Sequence, residues 1–236
     1  MTHLGVQLEL LLLWSWQWCG FIFLMWSLGV EMMKIIDNFF KDPHSVRKFA
    51  LGLEYEGAIH GQWPGVRIPI PEPQKTLYTK QYQKFFDEPA DPYRMFFQSV
   101  GELWGEGLVH SDPESKYTVL TFLNVESPSN SGIEIYNRRI PEDDRRIDAF
   151  ESIKTDFYRS KKNPIERFFF DKKVKSYNSY VKDPCIVPNQ FNRTVIFDGS
   201  RMHRAQNFFG NNLFNSRLTM ISFFGKREPS PPWHYD

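Results

Sequence analysis

From about residue 94 onward, the chain is a succession of short runs rich in β-branched and aromatic residues. Turns rich in Asp, Pro, Ser, Asn and Gly separate several of them, which is typical of strands joined by tight connections. The 22 phenylalanines also favour sheet packing, because aromatic side chains fit pleated surfaces. The runs are MFFQSVGELW, GLVHS, YTVLTFLN, GIEIYN, TVIFDG and RLTMISFFG.

Helices are predicted on the amino-terminal side of these strands. Asp42 and Pro43 supply an N-cap and a first-turn proline for a helix through about Leu53. Residues 57–73 are rich in glycine and proline and are predicted to form a loop, followed by a second helix from Pro73 to Phe86. The pattern predicts a mainly β domain with flanking helices, a sandwich or jelly roll.

A charged, partly helical stretch at about residues 138–182 interrupts the strands and is predicted to be an insertion. The net charge of +1 lacks the basic excess expected of a nucleic-acid-binding protein. The two cysteines are too few for a disulfide framework, which favours a reducing compartment.

Residues 10–30 contain no charged residue, and about 20 such residues can cross a bilayer as a helix. No basic residue precedes them and no small-residue cleavage motif follows, so a signal peptide fits poorly. Two interpretations of residues 1–31 stay open. They form a membrane anchor with the domain facing the cytoplasm, or they are upstream sequence translated from a misplaced start. We expect the domain at 33–236 to be cytoplasmic, with membrane contact only if the anchor is genuine.

His110 and Asp112 stand two residues apart, and in a strand such residues point to the same side. His203 is the best candidate for a third ligand. A simple hairpin centred on Gly210 would place Arg217 opposite His203, with Thr219 on the same face. Two histidines and one carboxylate with open positions are the signature of non-haem Fe(II) oxygenases. An arginine beside them suits a carboxylate, because its planar fork binds both oxygens.

The chain resembles the Fe(II)/2-oxoglutarate-dependent dioxygenases, most closely their prolyl-hydroxylase-like branch, over about residues 94–225. The resemblance rests on HSD at 110–112, YTVLTFLN, SGIEIYN, PNQFNRTVIFDGSRMH at 188–203 and SRLTMISFF. It implies a double-stranded β-helix, a cupin-like jelly roll. It implies Fe(II), O2 and 2-oxoglutarate as cofactors and cosubstrates, and hydroxylation of an unactivated C–H bond.

By this resemblance His110, Asp112 and His203 are the metal ligands and catalytic residues, and Arg217 binds 2-oxoglutarate. Phe122 stands where prolyl hydroxylases often carry a cosubstrate-binding tyrosine, and Ser131-Gly132 stands for a Gly-Gly pair. These departures leave open which residues assist Arg217. The candidates are Thr118, Tyr136 and Thr219.

Two other functions compete with an oxygenase. One is a non-catalytic β-helix binding domain, and the other is a metal-dependent cupin-type enzyme without 2-oxoglutarate, which would not need Arg217. The retained Asp112 argues against a halogenase. The substrate is not readable from the sequence. A small molecule or a protein side chain is expected, and the near-neutral charge disfavours nucleic acid.

Overall fold

The computed structural model describes residues 33–57, 63–139 and 164–227. The described helices are α1 (Pro43–Leu51), α2 (Gln74–Tyr82) and α3 (Pro164–Asn178), with 3-10 turns at Gln83–Phe85 and Glu102–Trp104. The strands are β1 (Met33–Ile36), β2 (Glu56–Gly57), β3 (Val66–Pro69), β4 (Pro92–Val100), β5 (Ser115–Phe122), β6 (Ile133–Arg139), β7 (Pro184–Val187), β8 (Thr194–Asp198), β9 (Arg201–Ala205) and β10 (Arg217–Lys226).

The strands form two sheets. The larger has seven strands in the order β1-β8-β5-β10-β4-β3-β2, and the smaller has three in the order β7-β6-β9. Every strand pair whose register is recorded is antiparallel. The predicted mainly β architecture with flanking helices is confirmed.

One face of the large sheet packs against the two amino-terminal helices. Helix α1 begins as predicted, with the Asp42 carboxylate accepting a hydrogen bond from the Ser45 backbone N–H and Pro43 in the first turn. Tyr78 and Tyr82 of α2 are buried, and the Tyr82 hydroxyl lies 2.8 Å from Thr121 Oγ1. This face is the main hydrophobic core. Its sheet residues include Phe97, Val119, Leu218 and Met220.

The opposite face of the large sheet carries the alternate residues of the same strands. Thr219 of β10 lies opposite Phe122 of β5 and Gln98 of β4, and Phe223 lies opposite Thr118 and Arg94. Residues opposed on paired strands share a face. These side chains therefore lie on the face turned away from the helices, called the cavity face below.

Three local predictions are wrong. The predicted loop at 57–73 contains β3, which pairs with β4. Pro69 is the last residue of β3, and proline is tolerated near the end of a strand. GLVHS forms no regular strand, and only His110 is bridged, to His203. Strand β7, which pairs with β6, was not anticipated.

The predicted hairpin centred on Gly210 is also wrong. Strand β9 lies in the small sheet beside β6, whereas β10 lies in the large sheet between β4 and β5. Residues 206–216 therefore cross from one sheet to the other. Gly210 has φ +77, and a Cβ there would lie 2.2 Å from the Asn215 carbonyl oxygen, so the crossing requires glycine.

The predicted insertion contains α3 and the end of β6, whereas residues 140–163 lie outside the described part of the chain. The uncharged segment at 10–30 lies outside it as well. Within the described ranges, no helix is both long and apolar enough to span a membrane. The anchor and the misplaced start both stay predictions.

Candidate metal centre

The three predicted ligands lie close together. His110, Asp112 and His203 each offer a donor atom, and the three atoms all lie within 4.8 Å of one another. His203 Nε2 is 3.3 Å from Asp112 Oδ2, and His110 Nε2 is 4.0 Å from Asp112 Oδ1. Two imidazoles and one carboxylate at this spacing can hold a single divalent ion.

Backbone carbonyls orient both imidazoles. His110 Nδ1 lies 2.9 Å from the carbonyl oxygen of Leu108, and His203 Nδ1 lies 2.9 Å from that of Arg201. When a metal ion is bound, a proton on Nδ1 satisfies each contact, and Nε2, which faces the carboxylate, is the nitrogen available as a ligand. Metal-binding histidines are characteristically held in this way by their second nitrogen.

Asp112 is held in its ionised form. Burial opposes the charge, but the His203 hydrogen bond and the fields of His203 and His110 outweigh it and keep the pKa of Asp112 well below its usual range. The Thr118 hydroxyl donates to Asp112 Oδ2 at 3.2 Å. The candidate ligand is thus ionised at neutral pH, with one oxygen fixed by a neighbouring hydroxyl.

Glycine is required beside this carboxylate. The Asp112 backbone N–H donates to the Gly199 carbonyl at 2.7 Å, and a Cβ on Gly199 would lie 2.5 Å from the Asp112 carbonyl oxygen. A side chain at position 199 would push the Asp112 segment away. The turn between β8 and β9 therefore positions both Asp112 and His203.

Arg217 is buried at the other end of the cavity face, with 3% of its surface exposed. Its guanidinium lies over the rings of Phe122 and Phe208, and its Nε donates to the Ser131 carbonyl at 3.1 Å. Burial lowers the pKa of Arg217 to about 10, which still leaves the side chain charged at neutral pH. No carboxylate among the described residues pairs with this buried cation.

Thr219 lies two residues beyond Arg217 on the same strand face. It is fully buried, and its hydroxyl has no hydrogen-bond partner within the described part of the chain. Buried polar groups are almost always satisfied. The cavity face thus presents a buried cation and an unsatisfied hydroxyl side by side.

Tyr136 does not join this group. It alternates with Ile135, which lies opposite His203, and so it points to the outer face of the small sheet. There its hydroxyl donates to Glu134 Oε2 at 2.7 Å, and its ring packs with Val109 and Met202. The structure brings Thr118 to the metal centre and Thr219 to Arg217, but it leaves Tyr136 behind the sheet.

Two other arginines near the candidate site in sequence are differently placed. Arg193 forms a surface ion pair with Asp37. Arg201 is buried on the face of His203, and its guanidinium donates to Asn137 Oδ1 at 2.8 Å. Sequence reasoning missed this Arg201 contact because Asn137 lies on a strand whose pairing with β9 is not encoded locally.

Neither a family model nor a curated protein matches the sequence. Solved structures do match. HygX from Streptomyces hygroscopicus, with nickel, 2-oxoglutarate and hygromycin B bound, is 10% identical with a TM-score of 0.56, and the match covers 86% of this chain and 85% of HygX. A Pseudomonas putida prolyl-4-hydroxylase is 13% identical with a TM-score of 0.50, and the match covers 86% of this chain and 96% of the hydroxylase.

A 2OG-Fe(II) oxygenase from Burkholderia pseudomallei is likewise 10% identical, with a TM-score of 0.50 and coverage of 85% and 87%. The chain therefore has the double-stranded β-helix fold of the 2OG-Fe(II) oxygenases. The fold predicted from the resemblance is confirmed.

Proposed function

We propose that this protein is an Fe(II)- and 2-oxoglutarate-dependent oxygenase that hydroxylates an unactivated C–H bond. One observation carries the proposal. Arg217, buried and with no carboxylate partner among the described residues, shares an interior with a group of two histidines and one carboxylate. Burying a cation without an opposite charge costs free energy, so a site that keeps one suits an anionic ligand.

The distance between the two ends supports a ligand that spans them. Thr118, which donates to Asp112, and Phe122, which lies under Arg217, are four residues apart on one face of β5. That separation is about 13 Å along the strand. The candidate metal ligands and Arg217 are therefore associated with two separate points on one strand face, which is the arrangement that a ligand with a carboxylate at each end requires.

The residues have distinct roles in this proposal. His110, Asp112 and His203 would hold the iron through the two Nε2 atoms and the ionised carboxylate. Arg217 would bind the distal carboxylate of 2-oxoglutarate through its fork, with the Thr219 hydroxyl as an additional donor. Phe122 and Phe208 keep water from the guanidinium and so strengthen its attraction for the anion.

When bound, the iron and 2-oxoglutarate supply the oxidising chemistry, in which the keto acid is decarboxylated to succinate and one atom of O2 enters the substrate. The protein provides orientation, exclusion of water and a fixed ligand set. The substrate is proposed to be a small molecule or a protein side chain. Among the structural neighbours, HygX was crystallised with hygromycin B and a Trichoplax adhaerens prolyl hydroxylase with a peptide fragment.

Succinate formation by the full-length chain tests the proposal. With Fe(II) and 2-oxoglutarate supplied, uncoupled turnover should release succinate, and His203→Ala should abolish both metal binding and succinate release. His44→Ala is the matched control, because His44 is an exposed histidine in the first turn of α1.

Arg217→Ala separates an oxygenase from a cupin-type enzyme. We expect the variant to bind iron but to need much more 2-oxoglutarate. Iron-dependent turnover that survives in this variant with no sensitivity to 2-oxoglutarate would overturn the proposal. Absence of any iron binding by the unmodified chain would instead favour a non-catalytic binding domain.

A further inference from the structure

A cavity lies where β4 begins and β10 ends, on the large sheet. It has a volume of about 410 Å³ and is lined by Tyr93, Arg94, Glu114, Lys226 and Arg227. Three of these five residues are cations and one is an anion. The cavity lies at the ends of β4 and β10, which also carry the cavity face described above.

The strand register places Arg94 on the cavity face, in the same row as Thr118. Arg94 lies opposite Phe223, and Phe223 lies opposite Thr118, so the three residues form one row across the cavity face. Neighbouring strands are about 4.8 Å apart, which places the Arg94 backbone about 10 Å from that of Thr118. Thr118 donates to the candidate ligand Asp112. An extended arginine side chain can cover much of that distance.

The three cations of the cavity differ in whether a carboxylate pairs with them. Arg227 pairs with Asp198 at 3.0 Å. Neither Arg94 nor Lys226 has a carboxylate within ion-pair distance in the part of the chain that the structure describes, and the Arg94 guanidinium lies 5.8 Å from the centre of the Tyr93 ring. Two cations without carboxylate partners therefore line one cavity.

Tyr93 adds a hydrogen-bond donor to the cavity. Burial raises the pKa of its phenol, so the hydroxyl stays protonated.

We propose that the cavity lined by Tyr93, Arg94 and Lys226 is a substrate subsite for an oxyanion, a phosphate or carboxylate carried by the molecule that is oxidised. The assignment of this anion as part of a substrate rests on the proposed oxygenase function. A guanidinium, an ammonium and a phenol that line one cavity offer several donors to a multi-oxygen group. The register then places the rest of the substrate over Phe223, towards the metal.

Binding of inorganic phosphate tests the subsite without iron or 2-oxoglutarate. The full-length, metal-free chain is titrated with phosphate by calorimetry at constant ionic strength, because salt screens exposed charges. Arg94→Gln combined with Lys226→Gln should raise the Kd at least about tenfold, a loss of about 1.4 kcal/mol. A parallel titration with acetate distinguishes a phosphoryl-bearing substrate from a carboxylate-bearing one.

Charge-matched controls make the result specific. Lys80→Gln combined with Lys84→Gln removes the same charge from exposed positions of α2 and the 3-10 turn that follows it, and should leave the Kd unchanged. Arg94→Lys with Lys226→Arg should retain binding, which guards against misfolding of the glutamine variant.

Equal phosphate affinity in the unmodified and glutamine variants would overturn the subsite, as would no saturation of the unmodified chain below about 50 mM. Succinate formation by the unmodified chain is measured separately. If no succinate forms, the proposed oxygenase function is wrong, whereas the phosphate titration still decides whether the cavity binds an oxyanion.

Discussion

The two faces of the seven-stranded sheet are built from alternate residues of the same strands, yet they differ in how well their groups are satisfied. The helix face packs Phe97, Val119 and Met220 against aromatic side chains of α2. Among the described residues, the buried Arg217 of the cavity face has no carboxylate partner and the Thr219 hydroxyl has no hydrogen-bond partner. The helix face therefore stabilises the fold, whereas the cavity face carries buried polar groups that lower stability but can bind a ligand.

Truncation of the helix face should have the largest effect on stability. Phe97 is fully buried and packs against Phe49 and Tyr78, so Phe97→Ala should cost about 3–5 kcal/mol of unfolding free energy. Urea denaturation measures it. Any folded fraction should still bind the metal, because Phe97 points away from the ligands. A loss of metal affinity without a loss of stability would contradict the division between faces.

Removal of the buried charge of Arg217 should affect ligand binding and not stability, the reverse of Phe97→Ala. Arg217→Met takes away a desolvated cation, so unfolding free energy should stay level or rise by about 1 kcal/mol. The KM for 2-oxoglutarate should rise about thirty- to a hundredfold, the equivalent of about 2–3 kcal/mol for lost charge-assisted hydrogen bonds.

Arg193→Met is the matched control for Arg217→Met, because Arg193 already pairs with Asp37 on the surface. Its KM for 2-oxoglutarate should not change. A destabilisation of several kcal/mol by Arg217→Met would mean that Arg217 is structural, and would remove the contrast between the two faces.

Loss of the hydroxyl beside Asp112 should weaken metal binding moderately. Thr118→Val removes the donor to Asp112 Oδ2 at nearly constant shape and should lower metal affinity about tenfold, as is common for partners of metal ligands. Thr118→Ser should restore most of it. Competition with a chelator of known affinity measures the metal affinity of each variant relative to the unmodified protein. If Thr118→Val binds the metal as tightly as the unmodified protein, Thr118 has no positioning role.

Thr219 should give the smallest effect. Thr219→Val removes an unsatisfied buried hydroxyl, so the protein should become more stable by about 1 kcal/mol. The KM for 2-oxoglutarate should rise a few-fold, because the valine cannot donate to the distal carboxylate. If thermal unfolding shows lower stability instead, the hydroxyl has a structural partner and the cavity face is better satisfied than proposed.

Sequence rules succeeded wherever the determinant is local. Asp42 and Pro43 predict the start of α1 because a cap and a first-turn proline act within one helical turn. The short runs rich in aromatic and β-branched residues predict β4, β5, β8 and β10, with ends that differ by a few residues. The close spacing of His110 and Asp112 also predicted a candidate ligand pair, and the structure brings His203 within 4.8 Å of it.

The same rules failed where a residue's surroundings depend on distant strands. A midpoint at Gly210 suggested that His203 and Arg217 face each other, but β9 and β10 belong to different sheets. Tyr136 was a candidate beside Arg217, yet its pairing with β7 and β9 directs it behind the small sheet. Alternation along a strand is local, but which face becomes the interior is not.

By itself, the sequence determined the residue types of the candidate site and the strand-rich character of the domain, because ligand chemistry and strand propensity belong to individual residues and short runs. Only the tertiary structure decided which groups share an interior. The sheet pairings placed Thr118 beside Asp112, buried Arg217 with no carboxylate partner among the described residues and set Arg94 in the same row as Thr118. Those outcomes depend on pairings such as that of Arg94 with Phe223, 129 positions apart, which no local pattern records.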